Sequence, residues 1–417
     1  MTKVQTNSKN LKQNRARARK VVVAGTAINL CLGVLYAWSV FAKELQDSQG
    51  FTSTETALPY SVAIILFAFF MVPAGIMLDR FGPRLLLILS GILIGIGFAI
   101  AGMTLTVTGF VIGFGVIVGA AMGFGYAAPT PTATKWYKPH LRGTITGIVV
   151  SGYGLAAVYV SPLSNYLLKN FGVANAFYYL GIFFTVLIVG LSFVMKSPPA
   201  DWELVGEEPP KPIKKKQPTT TAVQNEFTPR AMMKTSQFWS LWLMFAFSAS
   251  AGLIIIGNVA VIAKNQGGLE TGFLFVALLA IGNALGRVVT GIVSDKIGRT
   301  NTLILVFILQ AINMFAFITY TSGLMLTVGA VVTGATFGAL LALFPATTWD
   351  WFGLKYAGTN YGLIFTAWGV GGFIGPIMAG RIIDATGGYG GAYIVSAILL
   401  LVAAVMAFFT KQPKPSR

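Results

Sequence analysis

Arg287 stands inside the apolar stretch 271–294, which reads GFLFVALLAIGNALGRVVTGIVS from Gly272. No other Lys, Arg, Asp or Glu lies deep within a long apolar run of the chain. A guanidinium does not lose its proton at ordinary pH. An uncompensated charge at bilayer depth costs about 3 kcal/mol or more. Such a residue faces a polar cavity and meets an anion, and a small carboxylate fits, because a guanidinium grips it with two parallel hydrogen bonds. The alternative is an arginine that reaches the headgroups from a helix end or pairs with backbone carbonyls. Asp295 marks the edge of this span eight residues on, so Arg287 lies about 12 Å deep at 1.5 Å per residue. The middle of the hydrocarbon core is about 15 Å in. Asn283, at i−4, shares the arginine's face. It can hydrogen-bond the guanidinium or a substrate, but it cannot titrate.

The elements around this arginine must be membrane helices. Of 417 residues, 55% are hydrophobic and only 10% charged, with mean hydropathy +0.73. The apolar residues come in runs long enough to cross a core of about 30 Å, and they lack the alternation of barrel strands. Twelve spans are expected, at 21–42, 57–78, 85–105, 108–134, 143–168, 176–195, 237–263, 271–294, 301–322, 323–348, 357–380 and 391–410. The net charge of +17 implies no nucleic acid, because its distribution follows topology. With both termini on one side, every Lys and Arg except Lys43, Lys169, Lys264, Arg287 and Arg381 falls on that side. The positive-inside rule makes it the cytoplasm, and the expected membrane is the cell (inner) membrane.

A cytoplasmic tail, 1–20, precedes a six-helix bundle, 21–195. A linker rich in Pro, Thr and charge, 196–236, joins it to a second six-helix bundle, 237–410, and a short tail, 411–417. The halves repeat. GIMLDRFGPR at 75–84 matches GIVSDKIGR at 291–299, and WYKPHLRGTITG at 136–147 matches WFGLKYAGTNYG at 351–362, at nearly one offset. Parallel six-helix repeats are a transporter architecture with the substrate near midplane between the halves. Cys31 lies in an apolar run and reads as a small core residue. His140 falls in a basic loop with no partner for a metal site. No metal and no cofactor is expected, and neither a catalytic dyad nor a GxxxxGK[ST] loop occurs.

These residues resemble the major facilitator superfamily, whose loop after the second span has a form close to GxxxDRxGxR. Here that is Gly75, Asp79, Arg80, Gly82 and Arg84, repeated as Gly291, Asp295, Lys296, Gly298 and Arg299. The resemblance implies a cytoplasmic latch that gates access; as plain structure, the same residues would cap and anchor helix ends. A narrower resemblance is to monocarboxylate porters and oxalate:formate antiporters. It is carried by GVLYAWSVF at 33–41, GFGYAAPTPTATKWY at 123–137, RGTITGIVVSGYG at 142–154, NALGRVVTGIVSDKIGR at 283–299 and NYGLIFTAW at 360–368. It implies that Arg287 binds a substrate carboxylate. It also nominates Tyr36, Tyr126, Phe337, Phe365 and Trp368, with Leu35, as lining; Asn29 is a further polar candidate.

Two departures shape the expected function. The oxalate relatives carry a second cation, a Lys, where this chain has Trp368; one cation suits one carboxylate. Animal porters carry an Asp where this chain has Asn283, and a first-span Lys where it offers only Lys43 near the outer end. Asp384 and Glu270 fall near the outer mouth and read as solvated ends ahead of proton-access groups. The expectation is an all-α carrier, monomeric as a transport unit in the lipid bilayer. It moves a small monocarboxylate such as L-lactate or pyruvate by alternating access with a proton. The alternative is carboxylate exchange of the oxalate:formate type.

Overall fold

Apolar runs with all backbone groups bonded inside one segment have little choice but helix in a membrane. The structure, a computed structural model, describes residues 2–138, 142–198, 205, 226–353 and 356–413. His140 and most of the expected linker lie outside the described residues. Among the described residues eleven helical segments are long and apolar enough to cross a membrane. One of them, Ile145–Ser192, breaks at Gly172, whose φ is 75°, and so supplies two crossings.

The twelve spans are α1 (Arg15–Gln49), α2 (Ser53–Leu78), α3 (Arg80–Thr104), α4 (Val107–Thr134), α5 (145–171), α6 (173–192), α7 (Ser236–Gly267), α8 (Gly272–Ser294), α9 (Arg299–Phe317), α10 (Gly323–Phe352), α11 (Thr359–Thr386) and α12 (Gly390–Phe409). Several run further than hydropathy suggests, most of all α1, which carries Lys43 and ends at Gln49, and α11, which ends at Thr386 rather than 380. In both, polar residues continue the last turns beyond the apolar run. The most buried spans are α1, α4, α7 and α10. That spacing of three places them at the centre of the molecule.

Close approach fixes the site-bearing helices. A Cβ built at Gly286 of α8 would lie 2.0 Å from the Ala335 carbonyl oxygen of α10. Only glycine allows this seat, and it holds the back of α8 so that Arg287 is not free to roll. In α1 the α-helix tightens into a 3-10 turn, Gly33–Ala37, which carries Leu35 and Tyr36. Gly33 there meets the Tyr153 backbone oxygen of α5, 2.4 Å from where a Cβ would stand. The repeat seen in sequence returns in the backbone: Gly82 and Gly298 both adopt positive φ, 73° and 90°.

One end of the bundle joins the two halves. Lys43 of α1 pairs with Glu270, in the turn after α7, at 2.7 Å, and Lys264 of α7 pairs with Asp47 of α1. Asp384 of α11 accepts the backbone N–H groups of Ser53 and Thr54, the first turn of α2, each at 2.9 Å. At the opposite end Arg299 pairs with Asp350, and Gln412 donates to the Asp350 carbonyl, all within the second half.

Candidate substrate-binding site

Arg287 is half-buried, and its Nε donates to Asn283 Oδ1 at 3.0 Å. The i−4 spacing makes this bond, and the bond spends the arginine's side-on edge. What remains for a ligand is the end-on fork of Nη1 and Nη2, which matches the two oxygens of a carboxylate. Asn283 is 1% exposed, and its Nδ2 has no protein partner.

The aromatic rings near the arginine form a connected group. Tyr36 packs edge-on against Tyr153 (centroids 5.2 Å) and against Phe337 (6.2 Å). Tyr126 meets Tyr153 at 5.1 Å and Phe67 at 5.4 Å. Phe67 meets Trp368 at 5.5 Å, and Trp368 stacks on Phe365 at 5.1 Å, which in turn meets Tyr361. The guanidinium charge reaches the hydroxyls of Tyr36, Tyr126, Tyr153 and Tyr361.

The structure therefore brings five nominated rings, Tyr36, Tyr126, Phe337, Phe365 and Trp368, into one connected group with Arg287 and Asn283. Leu35 is fully buried in the 3-10 turn. Asn29 is fully buried and its Nδ2 donates to the Val149 carbonyl at 2.7 Å, which ties α1 to α5, while its Oδ1 is buried with no partner among the described residues. Phe67, Tyr153, Tyr361 and Gly154 were not anticipated. Tyr153 and Gly154 end the RGTITGIVVSGYG motif, and that was the signal for them.

Glu270 and Asp384, expected as solvated ends, are exposed yet bonded across the halves. The hydrogen bond from Lys43 holds the Glu270 carboxyl below its ordinary value. In the repeated loop motif, the side chains of Asp79 and Asp295 lie outside the described residues. Arg84 sits 4.0 Å over the Phe193 ring in its own half. Arg299 donates to Ser294 and Asp350 in the other. Arg80 and Lys296 are exposed, and Gly75 and Gly291 have open space around them.

Tyr153 Oη, Asn283 Nδ2 and Trp368 Nε1 are buried and have no partner among the described residues. Each such group costs about 1–3 kcal/mol when left unsatisfied. Two of the three are pure donors and the third is a hydroxyl. Asn283 Nδ2 belongs to the amide whose oxygen Arg287 Nε bonds, and Tyr153 precedes the glycine that faces the guanidinium; donors of this kind can take the oxygens of an anion.

A twelve-helix bundle in two repeated halves, with a cationic group between them, defines a membrane carrier. The sequence model of the Major Facilitator Superfamily matches residues 22–267 and 241–417, and the chain belongs to that family. It is 29% identical over 393 residues to an oxalate:formate antiporter of Oxalobacter formigenes, covering 93% of this chain and 90% of that protein. It is 21% identical over 451 residues to monocarboxylate transporter 14 of Mus musculus, covering 92% and 86%. Its fold is that of the inward-open xylose transporter XylE from E. coli, with TM-score 0.72 at 14% identity over 94% of this chain and 96% of that one.

Proposed function

We propose that this protein is a secondary carrier of short monocarboxylates such as L-lactate or pyruvate, working by alternating access in the cell membrane with both termini cytoplasmic. The observation that carries it is the end-on Arg287 fork, prepared by Asn283, whose own Nδ2 is left unpartnered on the same amide. Trp368 stands where a second cation would serve a dicarboxylate, and its indole offers one donor on an apolar plate. The joined end, with Lys43–Glu270 and Asp384 on the first turn of α2, is then the closed outer gate, and substrate exchanges with the cytoplasmic side. A bound carboxylate nearly neutralises Arg287 and lowers the electrostatic cost of closing the opposite gate, as a ligand must if it favours the state it induces.

The test is labelled L-lactate uptake into proteoliposomes. Arg287→Gln should abolish uptake with folding intact. Arg287→Lys should retain weak activity at most, because the fork geometry is lost. Normal transport by R287Q ends this reading.

Carboxylate exchange is the second reading, favoured by Asn283. The residue beside Arg287 is an amide already used as an acceptor, so it carries no proton, and an empty carrier with bare Arg287 crosses poorly. Proton symport predicts uphill uptake driven by an inward proton gradient without internal carboxylate, and a pH profile that shifts in N283D. Uptake indifferent to the gradient but dependent on internal oxalate or formate identifies the exchanger instead.

A further inference from the structure

Arg287 belongs to the second half of the chain, yet the tip of its side chain rests against the first. A Cβ built on Gly154 of α5 would lie 3.5 Å from Arg287 Nη2, 3.5 Å from Asn283 Oδ1 and 3.7 Å from Arg287 Cζ. These are ordinary contact distances. One added carbon would touch the fork without displacing it, and any longer side chain would enter the space in front of Nη2. Gly154 is buried. The adjoining polar groups are those left unpartnered: Asn283 Nδ2 on the same amide and the hydroxyl of Tyr153, the preceding residue. Both residues are more than nine-tenths buried. Nothing in the helix demands glycine, because Gly154 lies within regular α-helix at a φ that any residue adopts.

We propose that Gly154 is a specificity-determining residue of the carrier. By bringing no side chain to the α5 face opposite Arg287, it leaves the Nη2 corner of the fork open to a carboxylate with substituents on its α-carbon. This rests on the carboxylate-carrier reading above. The residue at 154 sets the headroom over the guanidinium. Formate, with only hydrogen on its carboxyl carbon, needs least of it. Lactate, with a methyl and a hydroxyl, needs most.

The experiment compares wild type, G154A, G154D and R287Q in proteoliposomes, with KM for formate and L-lactate taken from labelled uptake. Size-exclusion profile and melting temperature are measured in detergent. G154A should fold normally and raise the KM for L-lactate relative to formate roughly tenfold, the scale of one hydrogen bond to a charged group. G154D should place its own carboxylate on Arg287. It should lose binding of both acids and melt several degrees higher, because the new ion pair ties α5 to α8. A lactate-to-formate preference unchanged in G154A while R287Q is inactive overturns the role of Gly154 and leaves the carrier reading standing. G154D with wild-type affinity for either acid does the same. Wild-type uptake of both acids by R287Q overturns both.

Discussion

Replacing Asp384 by Asn should open the outer gate, and the size of the effect follows from two bonds. Asp384 Oδ1 and Oδ2 take the Ser53 and Thr54 N–H groups at 2.9 Å each. These donors belong to the first turn of α2, where the helix has no intrahelical acceptors for them. Hydrogen bonds to a charged group contribute about 1.5–3 kcal/mol, and the exposure of Asp384 puts each near the low end. Asn keeps one acceptor oxygen and turns an N–H toward the other donor, so about 1.5 kcal/mol is lost. Removing a charge from a helix N-terminus adds about 0.3–1 kcal/mol. The total of about 2 kcal/mol shifts the ratio of closed to open outer gate roughly 30-fold. Ser53→Pro tests the same contact from the donor side. Ser53 is the first helical residue, where proline is tolerated, and Thr52 before it is already extended at φ −71°, ψ 165°, as a residue preceding proline requires. S53P should shift the ratio about tenfold. The assay is electron–electron distance measurement between spin labels at Gln49 and Thr386 in a Cys31→Ser background, since Cys31 is the sole native cysteine. Both variants should populate a longer distance, and the double variant should fall short of the sum. Unchanged distances in both, or full additivity, refutes the reasoning.

Trp368→Lys should restore the two-cation arrangement. Oxalate should then compete with labelled L-lactate at least tenfold better than in wild type, and an unaltered ranking removes the charge-counting basis of the monocarboxylate preference. The pH at the joined end should act through Glu270, whose carboxyl is held below its ordinary value of 4.5 by Lys43, with Lys264 and Asp47 as the neighbouring charges. A carboxyl depressed in the closed state supports closure above its ordinary value, and that support fades as pH falls through the depressed one. Acidification below about 4.5 should therefore lengthen the Gln49–Thr386 distance, less so in E270Q; an equal response in E270Q rules Glu270 out.

The helical spans and the Asn283–Arg287 pairing were legible because each depends on local pattern. Run length sets a crossing, and i−4 spacing sets the Asn283–Arg287 bond. The ring network was legible only in part. Helices apolar on every side give no sign of which aromatic faces the pathway. Phe67 and Tyr361 therefore passed unremarked, while Tyr36 and Trp368 were reached through resemblance. Asn29 reads as a polar candidate because a polar residue in an apolar span must bond something, and sequence alone does not say that Val149 supplies the acceptor for its Nδ2. The gate contacts were not legible. Lys43 and Glu270 are 227 residues apart, and Ser53 and Asp384 are 331 apart. Only folding makes them neighbours.

The ionic cluster at the joined end divides evenly between the halves. Lys43 and Asp47 travel with one, and Lys264 and Glu270 with the other; Lys43 keeps Asp47 at 3.0 Å one turn away. Parting the halves exchanges ionic partners and leaves each side with one cation and one anion. No net charge of this cluster is carried through the membrane field, where a full unit charge is worth about 2.3 kcal/mol per 100 mV. The charge that moves within a half-cycle is then concentrated in Arg287 and whatever it holds, so the voltage dependence of gate opening reports on the occupancy of Arg287. Lys43→Gln unbalances one half and should add a voltage dependence to gate opening in recordings from reconstituted protein. If the current–voltage curve of K43Q overlays that of wild type, the even division has no electrical role.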